Sequence, residues 1–164
     1  PPHTTPLLSK SHPCPAVCAF DFGLRSRPSH PELNDPGEGW TYDTVRDITW
    51  AQSRNLATTT WDDANTYAEE RTLGGASDWR LPSRAELESV LDLGFTRPAL
   101  SNAAGADRWS AGDPFVGVES SYYWSSTHLA EDPTYVWCVD LYDGVVFYAY
   151  EVNYYYVWPV RSGQ

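Results

Sequence analysis

The chain has 164 residues, a usual length for one domain, and its 41% hydrophobic and 20% charged residues are typical of a globular protein. Its 22 acidic and 11 basic residues give a net charge of −11, which repels phosphate backbones and anionic lipids. No apolar run approaches the ~20 residues that span a bilayer. We therefore expect no nucleic-acid partner and no membrane insertion.

The first 36 residues form a proline-rich segment, which we call the arm. They contain eight of the 13 prolines, and each proline removes a backbone donor and restricts the residue before it. We predict that residues 1–36 are an extended, polyproline-like arm without a core of its own, which docks on the body or on a neighbouring subunit. Residues 37–164 are predicted to form the folded domain.

The body begins with residues 40–50, which alternate like a strand with one polar face. Thr60, with Asp63 three positions later, then predicts a capped helix. Its end is predicted at Gly74-Gly75, because glycine commonly follows the last turn of a helix.

A second helix is predicted from Ser83, since Glu86 completes the Ser-x-x-Glu capping box. Residues 98–121 are rich in small and polar residues and are predicted to form a long loop. From residue 122 to residue 158 the pattern favours strands, and these 37 positions hold 13 of the 24 aromatic residues.

The C-terminal strands are predicted to form a meander rich in tyrosine. Residues 135–142 alternate as a strand with two different faces, and Asp143-Gly144 predicts a type I′ hairpin turn. Residues 145–151 form the partner strand, and residues 154–161 form a further strand. Pro159 places the end of that last strand at an edge or terminus.

Four stretches carry ordered motifs: DWRLPSRAELES (78–89), PALSNAAGADRWSAGDPF (98–115), YYWSST (122–127) and NYYYVWPVR (153–161). They resemble the C-terminal domain of the bacterial collagen-like adhesin Lcl and its relatives, over about residues 40–164. The resemblance implies a C-type-lectin-like fold, in which two helices pack on small antiparallel sheets and a C-terminal sheet displays variable residues. The elements predicted from the residues give the same α+β class independently.

The resemblance also implies a secreted module, extracellular or on the cell surface, that is used for adhesion. The adhesin relative is associated with sulfated glycans. A net charge of −11 argues against a polyanionic ligand here, so a neutral glycan or a protein is the expected ligand.

Several motif residues are expected to be structural, because large apolar side chains and paired charges mostly serve packing. The expected core residues are Trp79, Leu81, Leu87 and Trp124. Asp78 and Arg80 are expected to form a paired clamp, and Arg161 is expected to pair with a core carboxylate.

Catalytic chemistry is poorly supported by the sequence. Three of the four histidines lie in the arm, and His128 stands alone in a predicted loop, so no histidine accompanies a nucleophile. Zinc and phosphate-loop motifs are missing as well. We therefore expect a protein that is not an enzyme and needs no organic cofactor.

Two further sites involve cysteines and carboxylates. Cys14 and Cys18 lack the partners of a zinc site, so we predict a disulfide between them. Asp140, Asp143 and Glu151 lie close together in the sequence and could hold Ca²⁺ through oxygen ligands. A solvated acidic face is the alternative, and it is favoured because no EF-hand spacing is present.

Two functions remain open on this evidence. The favoured one is self-assembly, in which the arm of one copy docks on the next and builds an extracellular filament. The alternative is binding of a glycan or protein on the solvent face of the meander, where rigid aromatic side chains lose little entropy on binding. The residues predicted to form this ligand-binding or subunit-interface face are Tyr135, Tyr142, Phe147, Tyr148, Tyr150, Tyr154 and Tyr155.

Overall fold

The computed structural model describes residues 33–34, 39–52, 58–110 and 114–164. The arm up to residue 32 and the predicted disulfide between Cys14 and Cys18 lie outside these residues. Two antiparallel sheets and two short helices make up the described part of the chain. The predicted α+β class, with two helices and small antiparallel sheets, is therefore confirmed.

The first sheet has four strands in the order β1-β2-β3-β7. They are β1 (Leu33–Asn34), β2 (Trp40–Asp43), β3 (Ile48–Ala51) and β7 (Val160–Ser162). The two residues of β1 belong to the arm as it was drawn from the sequence, and they pair with the end of β2.

The single strand predicted over residues 40–50 is instead a hairpin made of β2 and β3. Buried Asp43 causes the turn, because its Oδ1 accepts the backbone N–H groups of Val45 and Arg46 at 3.0 and 3.1 Å. Asp47 then adopts a positive φ of 56°, and the chain reverses direction into β3. An aspartate that binds its own downstream backbone favours a turn over a continuous strand.

The first helix, α1 (Trp61–Glu69), begins where the sequence predicts, with the Thr60 side chain accepting the Asp63 N–H. It ends at Glu69, with Glu70 as the C-cap, several residues before the predicted glycine pair. Gly74 serves another purpose: a Cβ there would lie 2.5 Å from the Trp40 indole nitrogen. The glycine therefore allows Trp40 to approach a tight turn, and it does not cap the helix.

The second helix, α2 (Arg84–Ser89), has the complete capping box predicted from Ser83 and Glu86. The second sheet has the order β4-β5-β6, with β4 (Tyr122–His128), β5 (Tyr135–Asp140) and β6 (Val146–Tyr150). The turn before β6 is not type I′, because Gly144 has a φ of 82° while Asp143 does not adopt a positive φ. A type I′ turn needs positive φ at both central residues.

The prediction that residues 154–161 form the last strand of the meander is wrong. Tyr155 bridges to Thr59 and Tyr156 bridges to Tyr123, so the chain leaves β6 and crosses to the first sheet. Only Val160–Ser162 forms a strand there, paired with β3. The meander therefore has three strands, and the end of the chain connects the two sheets.

The core consists of two clusters of buried side chains. One is built on Trp158, which packs edge to face against Trp50 and Phe115. The other joins Ala64 and Ala68 of α1 to the second sheet. The core positions predicted from the motifs are confirmed as buried: Trp79, Leu81, Leu87 and Trp124.

Candidate functional site

Four aromatic residues share one face of the second sheet, and we call them the aromatic ladder: Tyr135, Trp137, Tyr148 and Tyr150. They share the face because Tyr135 pairs with Tyr150 and Trp137 pairs with Tyr148 across β5 and β6. Side chains two residues apart on a strand point to the same side of the sheet. Three of the four were predicted as contact residues from the sequence.

The rings of the ladder are in continuous contact, and two of the four are exposed to solvent. The ring centroids of Tyr135 and Tyr150 are 4.0 Å apart, and Tyr148 meets Tyr135 and Trp137 edge to face at 5.5 Å each. Tyr148 is 40% exposed and Tyr150 is 52% exposed. Edge-to-face contacts of this kind hold the rings in fixed orientations. The ladder is thus a rigid apolar surface, and the hydroxyl groups of Tyr135 and Tyr150 lie at one of its ends.

The hydroxyl groups at this end interact directly. A hydrogen bond with Tyr150, together with partial desolvation and the nearby charge of Asp132, raises the pKa of Tyr135 to about 12. Because the shift favours the neutral phenol, the hydroxyl of Tyr135 stays uncharged at physiological pH.

A cation lies over the opposite end of the ladder. The guanidinium carbon of Arg84, on α2, lies 4.0 Å from the centroid of the Trp137 ring, and Glu88 accepts a hydrogen bond from Arg84 Nε at 2.5 Å. This arrangement places a planar cation on an indole face, the preferred geometry for cation–π attraction. Sequence reasoning missed Trp137, although it lies two positions from Tyr135 in an alternating strand.

Phe147 and Tyr155 do not belong to the ladder, because they lie on the other face of the sheet. Tyr155 packs against Trp124 with ring centroids 4.7 Å apart, and Phe147 packs against Tyr122 at 5.1 Å. Both side chains are partly buried against the cluster beneath α1. Their contacts indicate a packing role.

Tyr142 and Tyr154 are separate from both groups. Tyr142 lies in the turn before β6, where its hydroxyl accepts a hydrogen bond from Arg97 Nε at 2.7 Å. Tyr154 follows β6 and is 65% exposed, the most exposed tyrosine among the described residues. The seven aromatic residues predicted from the sequence thus occupy four places. Tyr135, Tyr148 and Tyr150 meet in the ladder, and Phe147 and Tyr155 meet on the other face of the sheet.

Comparison with known families identifies the domain. A model of the Lcl C-terminal domain matches residues 39–161, which is most of the chain. The chain belongs to this family. No curated protein matched the chain in a sequence comparison. Membership of the Lcl C-terminal domain family indicates a surface, adhesin-like module, and no helix of the described residues is long and apolar enough to cross a membrane.

In this Lcl C-terminal domain, the charged residues of the DWRLPSRAELES motif form ion pairs that differ from the predicted ones. Asp78 pairs with Arg161 at 2.8 Å, and Asp78 is largely exposed, so the partner of Arg161 is not a core carboxylate. Arg80 makes a two-point contact with Glu86 at 2.7 and 2.8 Å. The second pair ties the start of α2 to residue 80, and α2 carries Arg84 to the ladder.

The carboxylates predicted to bind Ca²⁺ do not form one cluster in this domain. Asp140 accepts the N–H of Tyr142 at 2.8 Å, while Asp143 accepts the N–H of Val145 at 3.1 Å. Glu151 lies 3.0 Å from His128 Nε2 instead. Within the described ranges no three His, Cys, Asp or Glu side chains come together as a metal site. The structure therefore does not bring the three predicted ligands together.

Cys138 lies on the buried face of β5, among the side chains beneath α1. Burial raises the pKa of its thiol well above the usual value, because a thiolate would be poorly solvated there. This cysteine is accordingly an apolar core residue in the structure.

Proposed function

We propose that this chain is a non-enzymatic, C-type-lectin-like adhesion module of the cell surface that contacts its ligand through the aromatic ladder. The observation that carries the proposal is the continuous set of contacting rings from Tyr150 to Trp137, in which Tyr148 and Tyr150 are exposed and Tyr135 and Trp137 are half-buried. Exposed tyrosine and tryptophan offer large contact areas and lose little side-chain entropy on binding. Such residues are also the ones that dominate binding energies in protein interfaces.

The chemistry of the ladder favours a ligand without strong negative charge. The cation that lies over the ladder, Arg84, is already paired with Glu88, and the chain as a whole carries −11. The neutral hydroxyl end and the flat ring faces suit the apolar face of a neutral sugar or the side chains of a protein. A polyanion would meet net repulsion.

The test removes the two most exposed rings of the ladder together, in the variant Tyr148→Ala/Tyr150→Ala. Binding to glycan and protein arrays is expected to fall by about tenfold or more, the usual effect of truncating an anchor residue. The matched control is Tyr154→Ala, which removes a more exposed tyrosine away from the ladder. Equal binding by both variants and the unchanged chain would refute the proposal.

We propose in addition that the arm mediates self-assembly. This rests on the proline content of residues 1–36, which gives that segment no means of forming a core. A deletion of residues 1–32, which keeps β1 and its pairing with β2, is expected to abolish assembly while the circular dichroism spectrum is retained. Light scattering gives the particle mass, and an unchanged mass after the deletion would refute the role of the arm.

A further inference from the structure

We propose that the aromatic ladder of one copy binds residues 25–31 of a second copy as a polyproline-type ligand. This inference rests on the ladder being a contact surface, as proposed above, and it names the partner. Residues 25–31 read RSRPSHP, in which Arg25, Pro28 and Pro31 are each three positions apart. We call these seven residues the arm motif.

The spacing of the arm motif suits a polyproline II helix. That helix has three residues per turn, so residues three apart lie along the same edge. Pro28 and Pro31 would therefore present two rings about 9 Å apart, since each residue advances the helix by about 3.1 Å. Segments of this type bind grooves lined by aromatic side chains, because the ligand is already extended and loses little entropy.

The spacing between the ring pairs of the ladder is similar to the spacing between the two prolines. Its Tyr135–Tyr150 pair and its Trp137–Tyr148 pair are two residues apart along the strands, which is about 7 Å. The ring of Tyr148 is nearly perpendicular to the rings of Tyr135 and Trp137, so the ladder presents ring edges as well as ring faces. A row of rings at this spacing offers a separate contact to each of two prolines.

Charge complementarity supports the same partner. Residues 1–32 contain three basic and two acidic residues, a net charge of +1, which leaves −12 on residues 33–164. At the tyrosine end of the ladder, the charge of Asp132 also acts on Tyr135. The two arginines of the arm motif would therefore approach a surface of opposite charge.

The position of β1 assigns the arm motif to a second copy. Pro31 lies only two residues before Leu33, which is hydrogen-bonded to the edge of the four-stranded sheet. The ladder lies on β5 and β6 of the other sheet, which β1 does not join, and we take the ladder of a second copy as the partner. Each copy then offers one motif and one ladder, so the contact is heterologous and continues from copy to copy.

The experiment measures the particle mass of the full chain by light scattering over a range of concentrations. The unchanged chain is expected to grow in mass with concentration. The ladder variant Tyr148→Ala/Tyr150→Ala and the motif variant Pro28→Ala/Pro31→Ala are each expected to remain monomeric. Tyr154→Ala and Pro6→Ala are the matched controls, and both should assemble as the unchanged chain does.

Mixing the two defective variants gives the decisive result. One retains only a motif and the other retains only a ladder, so the mixture should form one-to-one dimers and nothing larger. A synthetic peptide of residues 25–31, added to the unchanged chain, should reduce the particle mass, whereas the same peptide with both prolines replaced by alanine should not. The peptide experiment needs no substitution in the folded domain.

Three results would overturn the inference: a monomeric unchanged chain at every concentration, assembly by the ladder variant, or no effect of the peptide. The array experiment separates this failure from failure of the proposed function. If the ladder variant loses array binding but still assembles, the arm docks elsewhere and the binding function stands. If it keeps both activities, both proposals are wrong.

Discussion

The DWRLPSRAELES motif is expected to stabilise the domain mainly through the two-point ion pair between Arg80 and Glu86. Removing this pair is therefore the strongest test of the motif's role. Glu86 also accepts the N–H of Ser83 at 2.6 Å, so its carboxylate receives three hydrogen bonds. The variant Glu86→Gln keeps the shape of the side chain but removes its charge. Hydrogen bonds to a charged group contribute about 1.5–3 kcal/mol.

The expected loss is at the lower end of that range, because the Arg80 side chain is 39% exposed and solvent screens the pair. We expect the free energy of unfolding to fall by about 2 kcal/mol. For a chain of this length the melting temperature would fall by about 4–8 °C. Urea denaturation and thermal melting followed by circular dichroism measure the two quantities.

The matched control is Glu88→Gln on the same helix. Glu88 pairs with Arg84 four residues earlier, and both side chains are more than a third exposed. Exposed pairs at this spacing contribute about 0.3–0.5 kcal/mol. Equal losses in the two variants would show that the contacts of Glu86 with Arg80 and Ser83 do not hold α2 in place.

The pH dependence supplies a second check on Glu86. Burial raises its pKa, but hydrogen bonds from Arg80 and Ser83 outweigh burial, and the net effect lowers the pKa below the ordinary value of 4.5. A group with a lowered pKa in the folded state stabilises the protein above its unfolded value, and this contribution disappears as the pH falls through the folded value. The difference between the unchanged chain and Glu86→Gln should therefore be constant near neutral pH and shrink below about pH 4.5.

Three other measurements test single features. Tyr150→Phe removes the hydrogen bond to Tyr135, so the pKa of Tyr135 should fall from about 12 toward 10.0 in a tyrosine absorbance titration, and an unchanged value would contradict the contact. Cys138 should resist alkylation until the chain unfolds, as judged by mass spectrometry of its peptide, since the thiol is buried. Gly144→Ala should lower the free energy of unfolding, measured in urea, by at least about 1 kcal/mol. The reason is that φ at this position is +82° and the new Cβ would lie 2.3 Å from Leu93. An unchanged free energy of unfolding would show that the turn adapts.

Local signals in the sequence predicted the starts of both helices well. Thr60 and Ser83 cap their helices through side-chain contacts within three residues, and such contacts depend little on the rest of the fold. The predicted end of α1 was wrong because the glycine at position 74 is required by the close approach of Trp40, which is distant in the sequence. Nothing in the residues around Gly74 indicates that a tryptophan from the first sheet lies against it.

The same difference between local and distant signals explains the errors in the C-terminal strands. Alternation predicted β5 and β6 correctly, but it does not say which sheet a strand joins. Val160 pairs with Trp50, more than 100 positions earlier, and this pairing is absent from any short window of sequence. The register between β5 and β6 was also needed to place Trp137 beside Tyr148 and to place Phe147 on the opposite face.

The crossing of the chain end to the first sheet has a consequence for the ladder. Val160 and Arg80 exchange two backbone hydrogen bonds of 2.8 and 2.9 Å, so β7 fixes residue 80. Arg80 holds Glu86, and the helix that carries Glu86 places Arg84 over Trp137. The Trp137 end of the ladder is thus supported from the first sheet, in addition to the β5–β6 pairing that aligns both ends. Specific orientation of a bound segment should accordingly come from the Trp137 end, because a rigidly supported ring discriminates better between alternative poses.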